Sequence, residues 1–449
     1  MRFLAIASVA ALVLGPPVWA QQPDTLRRPR THADSVAKQR ADSIAAADSI
    51  ALMKALGAAG AAPDTSQRLA PTGQVGPTNP RLLPDVSAVG DFVGELSPDS
   101  SLQDNNTRLG VREVELAFQA VVDPYFRGDV FLGLNDLEKV SIEQAFLTTT
   151  SLRDLEIRLG RYLMPFGKQN TTHRHDLHTV EYPWVIQRFL SPDGLKGTGA
   201  YVSRVFAPFG FYQELQLTAV DRFGEAPEDL RTLQPVNRNL SGLGVEARFR
   251  NYWDVSQSTN VELSGSALTG DVAQPLSYIA GASGEVLTPT GVNAVGVRQS
   301  LVGMDFTFRW RPLQQGLYKS FIFQTEVMRQ LNSRNPALPT CSELSLTPCT
   351  AILYAGPTRD FAGAYAFTRY QITARGFLGG RFDWVQDPLD PLGLGRTLTA
   401  GSGYFEWFPS EFSKLVAAYE RYMPPGAKAA NRILLQASFA LGPHKPHPF

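Results

Sequence analysis

The chain is poor in cysteine and carries no net charge, and both absences narrow the field. Two cysteines in 449 residues exclude a disulfide-dense scaffold and any four-cysteine zinc or iron–sulfur site. With 42 Lys+Arg against 42 Asp+Glu there is no basic surplus, so nucleic acid is not an expected partner. The N-terminal apolar run, Phe3 to Leu14, is too short to span a bilayer as a helix. Aromatic residues are not scarce, but they are unevenly placed: residues 21–80 contain none. What is present is 43% hydrophobic and 19% charged residues, which excludes wholesale disorder.

The first 80 residues divide in two. Residues 1–20 read as a secretory signal peptide: Arg2 is the positive start, Phe3 to Leu14 the apolar core, and Val18-Trp19-Ala20 the cleavage site. No cysteine follows that site, which argues against a lipoprotein. Residues 21–80 form an Ala/Pro-rich periplasmic tether. The near-repeat at Ala33-Asp34-Ser35, Ala41-Asp42-Ser43 and Ala47-Asp48-Ser49 favours a short helix within it, whereas Pro63, Pro71, Pro77 and Pro80 favour an extended linker.

From about residue 81 the pattern becomes strict alternation. Val114, Leu116, Phe118, Ala120 and Val122 share one face, with Glu113, Glu115, Ala117 and Gln119 on the other. Val302, Met304, Phe306, Phe308 and Trp310 likewise oppose Asp305, Thr307, Arg309 and Arg311. Period two repeated this way predicts strands with one apolar face. Sixteen candidate strands fall between 86 and 441, each long enough to cross a membrane at a tilt. Tight links such as 123–125, 207–210, 373–374 and 409–410 alternate with long ones at 96–110, 164–196, 221–239, 271–299 and 331–360. The link 136–139 is a short exception on the long side. The expected fold is therefore all-β: a transmembrane antiparallel barrel over 81–449, in outer-membrane lipid, with a short helical or disordered extension. A soluble sandwich would bury the apolar face and expose the charges instead. Signal peptide, strand length, even count and loop asymmetry favour the barrel. Tyr125, Phe126, Trp253, Tyr318, Trp384, Trp407 and Tyr422, at strand ends, suit interfacial girdles.

The residues then resemble a known family. Gly160-Arg-Tyr-Leu-Met-Pro-Phe-Gly-Lys-Gln-Asn170, Thr171-Thr-His-Arg-His-Asp176 and Gly194-Leu-Lys-Gly197 are similar to the third-loop region of porin-like outer-membrane proteins. The stretch is especially similar to a plug-free group labelled zinc-regulated (TonB-dependent) outer-membrane receptors, with a Gly442-Pro443-His444…His447…Phe449 ending. Phosphate-selective porins are a more distant likeness, but no dense Arg/Lys run supplies their phosphate ladder. The resemblance implies the outer membrane of a diderm bacterium, insertion by the barrel-assembly machinery and the trimeric assembly common among porins. Residues 21–80 are too few, and too lacking in aromatics, to plug a 22-stranded energy-coupled receptor.

The function expected is passive diffusion of small solutes or ions, narrowed by an inward loop at 164–196. Lumen-facing Glu113, Glu115, Glu156, Arg158, Arg248, Arg250, Asp305, Arg309 and Glu326 line the pore. Lys168, Arg174, Asp176, Glu181 and Arg188 give the constriction mixed signs and hence weak ion selectivity. The alternatives are a zinc-linked transport protein and a closed structural barrel. An enzyme is not expected: all six histidines lie outside the strands, and no G-x-S-x-G elbow occurs in a strand-to-helix setting. No cofactor is required, but His173, His175 and His178 form one candidate cluster for weak Zn²⁺ binding, and His444 with His447 another. The competing reading is that the loop histidines brace the constriction through hydrogen bonds. Cys341 and Cys349, in a long external loop, are expected to pair.

Overall fold

In the computed structural model, residues 84–98, 107–135, 139–223, 240–271, 298–334, 358–388, 390 and 395–442 are described. The signal peptide, the tether, both cysteines, His444 and His447 lie outside them. Among the described residues, sixteen strands close into one antiparallel barrel in which each strand pairs with its sequence neighbours, and β1 (Asp85–Leu96) pairs with β16 (Ala430–Leu441). The others are β2 (Leu109–Val121), β3 (Phe126–Asn135), β4 (Lys139–Thr149), β5 (Leu155–Leu163), β6 (Lys196–Phe206), β7 (Tyr212–Phe223) and β8 (Gly244–Ser256). They continue as β9 (Thr259–Asp271), β10 (Arg298–Trp310), β11 (Phe321–Arg334), β12 (Thr358–Gln371), β13 (Gly376–Gln386), β14 (Thr397–Ser410) and β15 (Ser413–Met423). Expected and observed strands agree to within about four residues at each end, except that β8, expected at 240–250, runs six residues further.

Alternation settles which way the sheet faces. On β16, Ile433, Leu435, Phe439 and Leu441 are exposed, while Arg432, Leu434, Gln436 and Ser438 are buried. On β10, Val302 and Met304 are exposed, and Asp305 and Thr307 are buried. An apolar exterior around a polar interior inverts a soluble sandwich and requires lipid outside. Closure also pairs every strand edge, which is what lets a sheet cross hydrocarbon. No helix among the described residues is long and apolar enough to cross a membrane.

The barrel has unlike ends. One carries brief turns such as 122–125, 207–211, 257–258 and 411–412; the other carries 164–195 and the longer gaps between strands. Of the proposed girdle aromatics, Tyr125, Phe126, Tyr318 and Trp407 are exposed. Tyr422 is not. It faces inward and stacks on Trp184, ring centroids 5.7 Å apart.

Candidate functional site: the lumen and its inward segment

The link from β5 to β6 turns into the barrel and crosses it. It contains two 3-10 turns, Gln169–Thr171 and Arg174–Asp176, and one short helix, α1 (Trp184–Phe189). Gly167 starts the crossing in the left-handed region at φ 65, where an added Cβ would lie 2.1 Å from Glu326 Oε2. Glu326, on β11, accepts the N–H groups of Lys168 at 3.1 Å and Gln169 at 2.7 Å. Tyr365 donates to the same carboxylate at 2.6 Å.

Toward the long-link end, apolar contact anchors the segment. Leu177, Trp184, Val185, Ile186 and Phe189 are almost wholly buried, against wall residues that include Val220, Leu301, Met328, Phe361 and Val385. At about 1.5–3 kcal/mol per fully buried side chain, these five contribute on the order of 10 kcal/mol. That is too much for the segment to swing free as a thermal flap.

Ion pairs fix the remainder. Arg112 reaches Asp91 at 2.5 Å and Glu181 at 3.3 Å, and donates to the Val180 carbonyl at 2.8 Å. Asp91 in turn accepts from Gln436 at 3.0 Å and Ser438 at 2.9 Å, across the β1–β16 seam. Arg381 donates to Asp383 at 2.7 Å, to Thr179 Oγ1 at 2.9 Å and to the Glu181 carbonyl at 2.7 Å. Lys414 donates to the carbonyls of His175 and Leu177. Arg188 pairs with Asp387 at 3.1 Å, and Arg174 with Glu181 at 3.1 Å and Asp193 at 2.6 Å.

A cavity of about 840 Å³ lies between this segment and the short-turn end. Its lining includes Gln119, Tyr252, Asn260, Glu262 and Arg309 from the wall, and Lys168, His173, His175, Asp176 and His178 from the segment. Glu262 gathers cations: Lys168 at 2.8 Å, Arg250 at 3.2 Å and Arg309 at 3.6 Å. Burial pushes the Lys168 amine below its usual range, and Glu262 resists that shift.

All five expected constriction residues lie on the inward segment; Lys168, Arg174, Glu181 and Arg188 each have charged partners, and Asp176 Oδ1 lies 3.3 Å from His175 Nε2. The expected pore lining needs correction. Arg250, Arg309 and Glu115 border the cavity, whereas Asp305, Arg248 and Glu326 are buried beneath the segment or in the wall network. Glu113 borders a small space on the opposite side of the segment with Arg112, Glu143 and Lys196. Glu156 and Arg158 pair with each other at 2.6 Å, and the Arg158 guanidinium lies 4.9 Å from the centre of the Tyr201 ring.

The histidines separate. His178 pairs with Glu406 at 3.4 Å on β14, and burial, with Arg369 nearby, lowers its pKa. His173 Nδ1 lies 2.7 Å from Glu115 Oε2 on β2, and its ring lies 5.4 Å from that of His175. Burial opposes charge on His173, but Glu115 more than reverses this and lifts its pKa to about 9. Burial lowers the pKa of His175. The ligating atoms of Glu115, His173 and His175 all lie within 4.8 Å of one another.

Sequence reasoning missed Arg112, Asp91, Arg381, Lys414, Glu406 and Glu262. For Arg381 and Asp383 the signal was present, because they alternate with outward Phe382. For Arg112 it was not, because a bulge in β2 places it inward beside Glu113.

No known family profile matches the chain. A protein of Aquifex aeolicus (strain VF5), described only as uncharacterized, is 23% identical over 418 residues, which cover 84% of this chain and 82% of that one. Among solved structures, the outer membrane channel DcaP of Acinetobacter baumannii aligns at TM-score 0.49 and 10% identity, over 83% of this chain and all of its own (100%). An anion-selective porin from Comamonas acidovorans aligns at TM-score 0.48 and 9% identity, over 80% of this chain and 99% of that one. A loop-deletion form of OmpT, an outer membrane protein of Vibrio cholerae, aligns at TM-score 0.48 and 11% identity, with the same coverage of 80% and 99%.

Proposed function

We propose that the chain is an outer-membrane channel of porin type, passing small hydrophilic solutes or ions by diffusion around a fixed inward segment. The observation that carries this reading is the polar lumen. An apolar exterior requires lipid, and the interior holds a cavity of about 840 Å³ lined with Lys168, Arg250, Arg309, Glu262, Asp176 and Glu115. Short turns would face the periplasm and long links the cell exterior, as in other barrels of this kind. Charges of both signs line the cavity, and most are paired, so weak ion selectivity is the expectation. The family resemblance adds a homotrimer, to be checked by light scattering in detergent.

A closed barrel is the second reading, and one observation favours it: the apolar packing of α1 against the long-link half of the wall. Planar-bilayer recording on the purified, folded protein separates the two. Discrete conductance steps support the channel. If neither the native protein nor a variant with a shortened inward segment conducts, the channel reading fails. Conductance in the shortened variant alone assigns the native protein to the closed reading.

A further inference from the structure

We propose that Glu115, His173 and His175 form a binding site for a divalent transition-metal ion on the cavity face of the inward segment. Three observations bring them together. Glu115 projects inward from β2, a wall strand, and is buried. His173 and His175 sit at the start and middle of the 3-10 turn Arg174–Asp176, closed by the Asp176 N–H donating to the His173 carbonyl at 3.0 Å. Lys414, from the far side of the β1–β16 seam, holds the turn by its carbonyls. Wall and turn are thus fixed independently, and their donors converge within 4.8 Å before any ion arrives.

The donor set selects the class of ion. Two imidazoles and one carboxylate, without thiolate, suit borderline ions such as Zn²⁺ and Co²⁺ better than Mg²⁺, Ca²⁺ or Cu(I). Three protein ligands leave a coordination position open, and all three residues border the cavity, so that position is available to water or a passing anion. His178 is excluded because Glu406 holds it against a different wall strand. This set replaces the wider cluster suggested by histidine spacing, and it includes a carboxylate that spacing could not supply.

Binding exchanges a proton for the ion. The short Glu115–His173 contact holds a proton on Nδ1, and the ion displaces it to solvent. With the ion on Nδ1 the ring keeps its proton on Nε2, where it needs an acceptor, as it already does in the imidazolium that Glu115 stabilises. Gln144 now presents its amide nitrogen to Nε2 at 2.8 Å, while its oxygen accepts the Leu163 N–H at 3.0 Å. To serve as acceptor the amide must turn over and release Leu163. A carboxylate at position 144 could accept from both.

The test titrates folded, full-length protein in detergent with Co²⁺, following its visible d–d absorbance, and then displaces the Co²⁺ with Zn²⁺. One equivalent per chain is expected. Glu115→Gln and His175→Ala should each weaken binding about tenfold or more, within the range typical of lost metal-site contacts. Gln144→Glu should bind as tightly as the native protein or tighter, an outcome that misfolding cannot mimic. His178→Ala and the double variant His444→Ala/His447→Ala should bind like the native protein. If His173→Ala/His175→Ala binds Co²⁺ as the native protein does, if His178→Ala loses as much as His175→Ala, or if Gln144→Glu binds more weakly, the site is wrong. None of these readings depends on conductance, so the channel and the metal site stand or fall separately.

Discussion

Arg112 shows how a single side chain can be decisive and still escape a reading of the sequence. Alternation along 112–122 assigns Glu113 and Glu115 to the lumen and leaves Arg112 on the lipid side. In the structure Asp91 pairs with Glu113 and Phe92 with Val111, so Arg112 has no register partner. The bulge turns it inward, where it joins Asp91, Glu181 and the Val180 carbonyl. Arg112→Met removes the ion-pair partner of buried Asp91 and one of the two cations on Glu181, and should cost about 3–5 kcal/mol, as breaking buried pairs does. The readout is a lower unfolding temperature in detergent; an unchanged one would contradict the inward placement. Glu143 and Gln144 repeat the effect, since a second bulge sets Phe131 against Gln144 and Leu132 against Ile142. Gly167 offers a complementary test. Gly167→Ala adds a Cβ at positive φ against the Glu326 carboxylate, so it should destabilise by more than about 1 kcal/mol and loosen the first turn of the segment. Faster protease cleavage after Lys168 would report this, and cleavage at the native rate would argue against it.

Among the elements, the strands were legible and the inward segment only partly so. Strands declare themselves because lipid and lumen impose opposite demands on successive residues, and β10 and β16 obey almost without exception. The segment has no such period. Its inward direction was expected only from the resemblance to porin third loops, and its partners were not readable, because they come from strands far away in sequence. One overlooked sign was the loss of alternation near the long-link ends. Leu301 beside Val302 and Met328 beside Val327 put apolar groups on both faces, because the inner member of each pair meets the segment rather than water. Replacing residues 168–193 with a short Gly/Ser linker removes no strand, so the barrel should still assemble, and each opening should carry several times the native current. Equal currents would mean that the segment does not lie in the path.

As a whole molecule, the barrel should stay folded in sodium dodecyl sulfate until heated, because closure leaves no strand edge for detergent to attack. A gel mobility that does not change on boiling would contradict this. Deleting residues 21–80 should leave assembly intact, since the first strand begins at Asp85; failure to assemble would overturn the tether reading. Strand count and closure were foreseeable from the alternation and the even number of segments. Which strands meet the segment was not, because that depends on three-dimensional register. Asp91 on β1 meets Gln436 and Ser438 only when β16 closes the barrel. Arg112 grips the segment from the same carboxylate. A barrel held open at this seam therefore leaves the carboxylate that positions Arg112 short of two donors, and its inward segment less firmly seated.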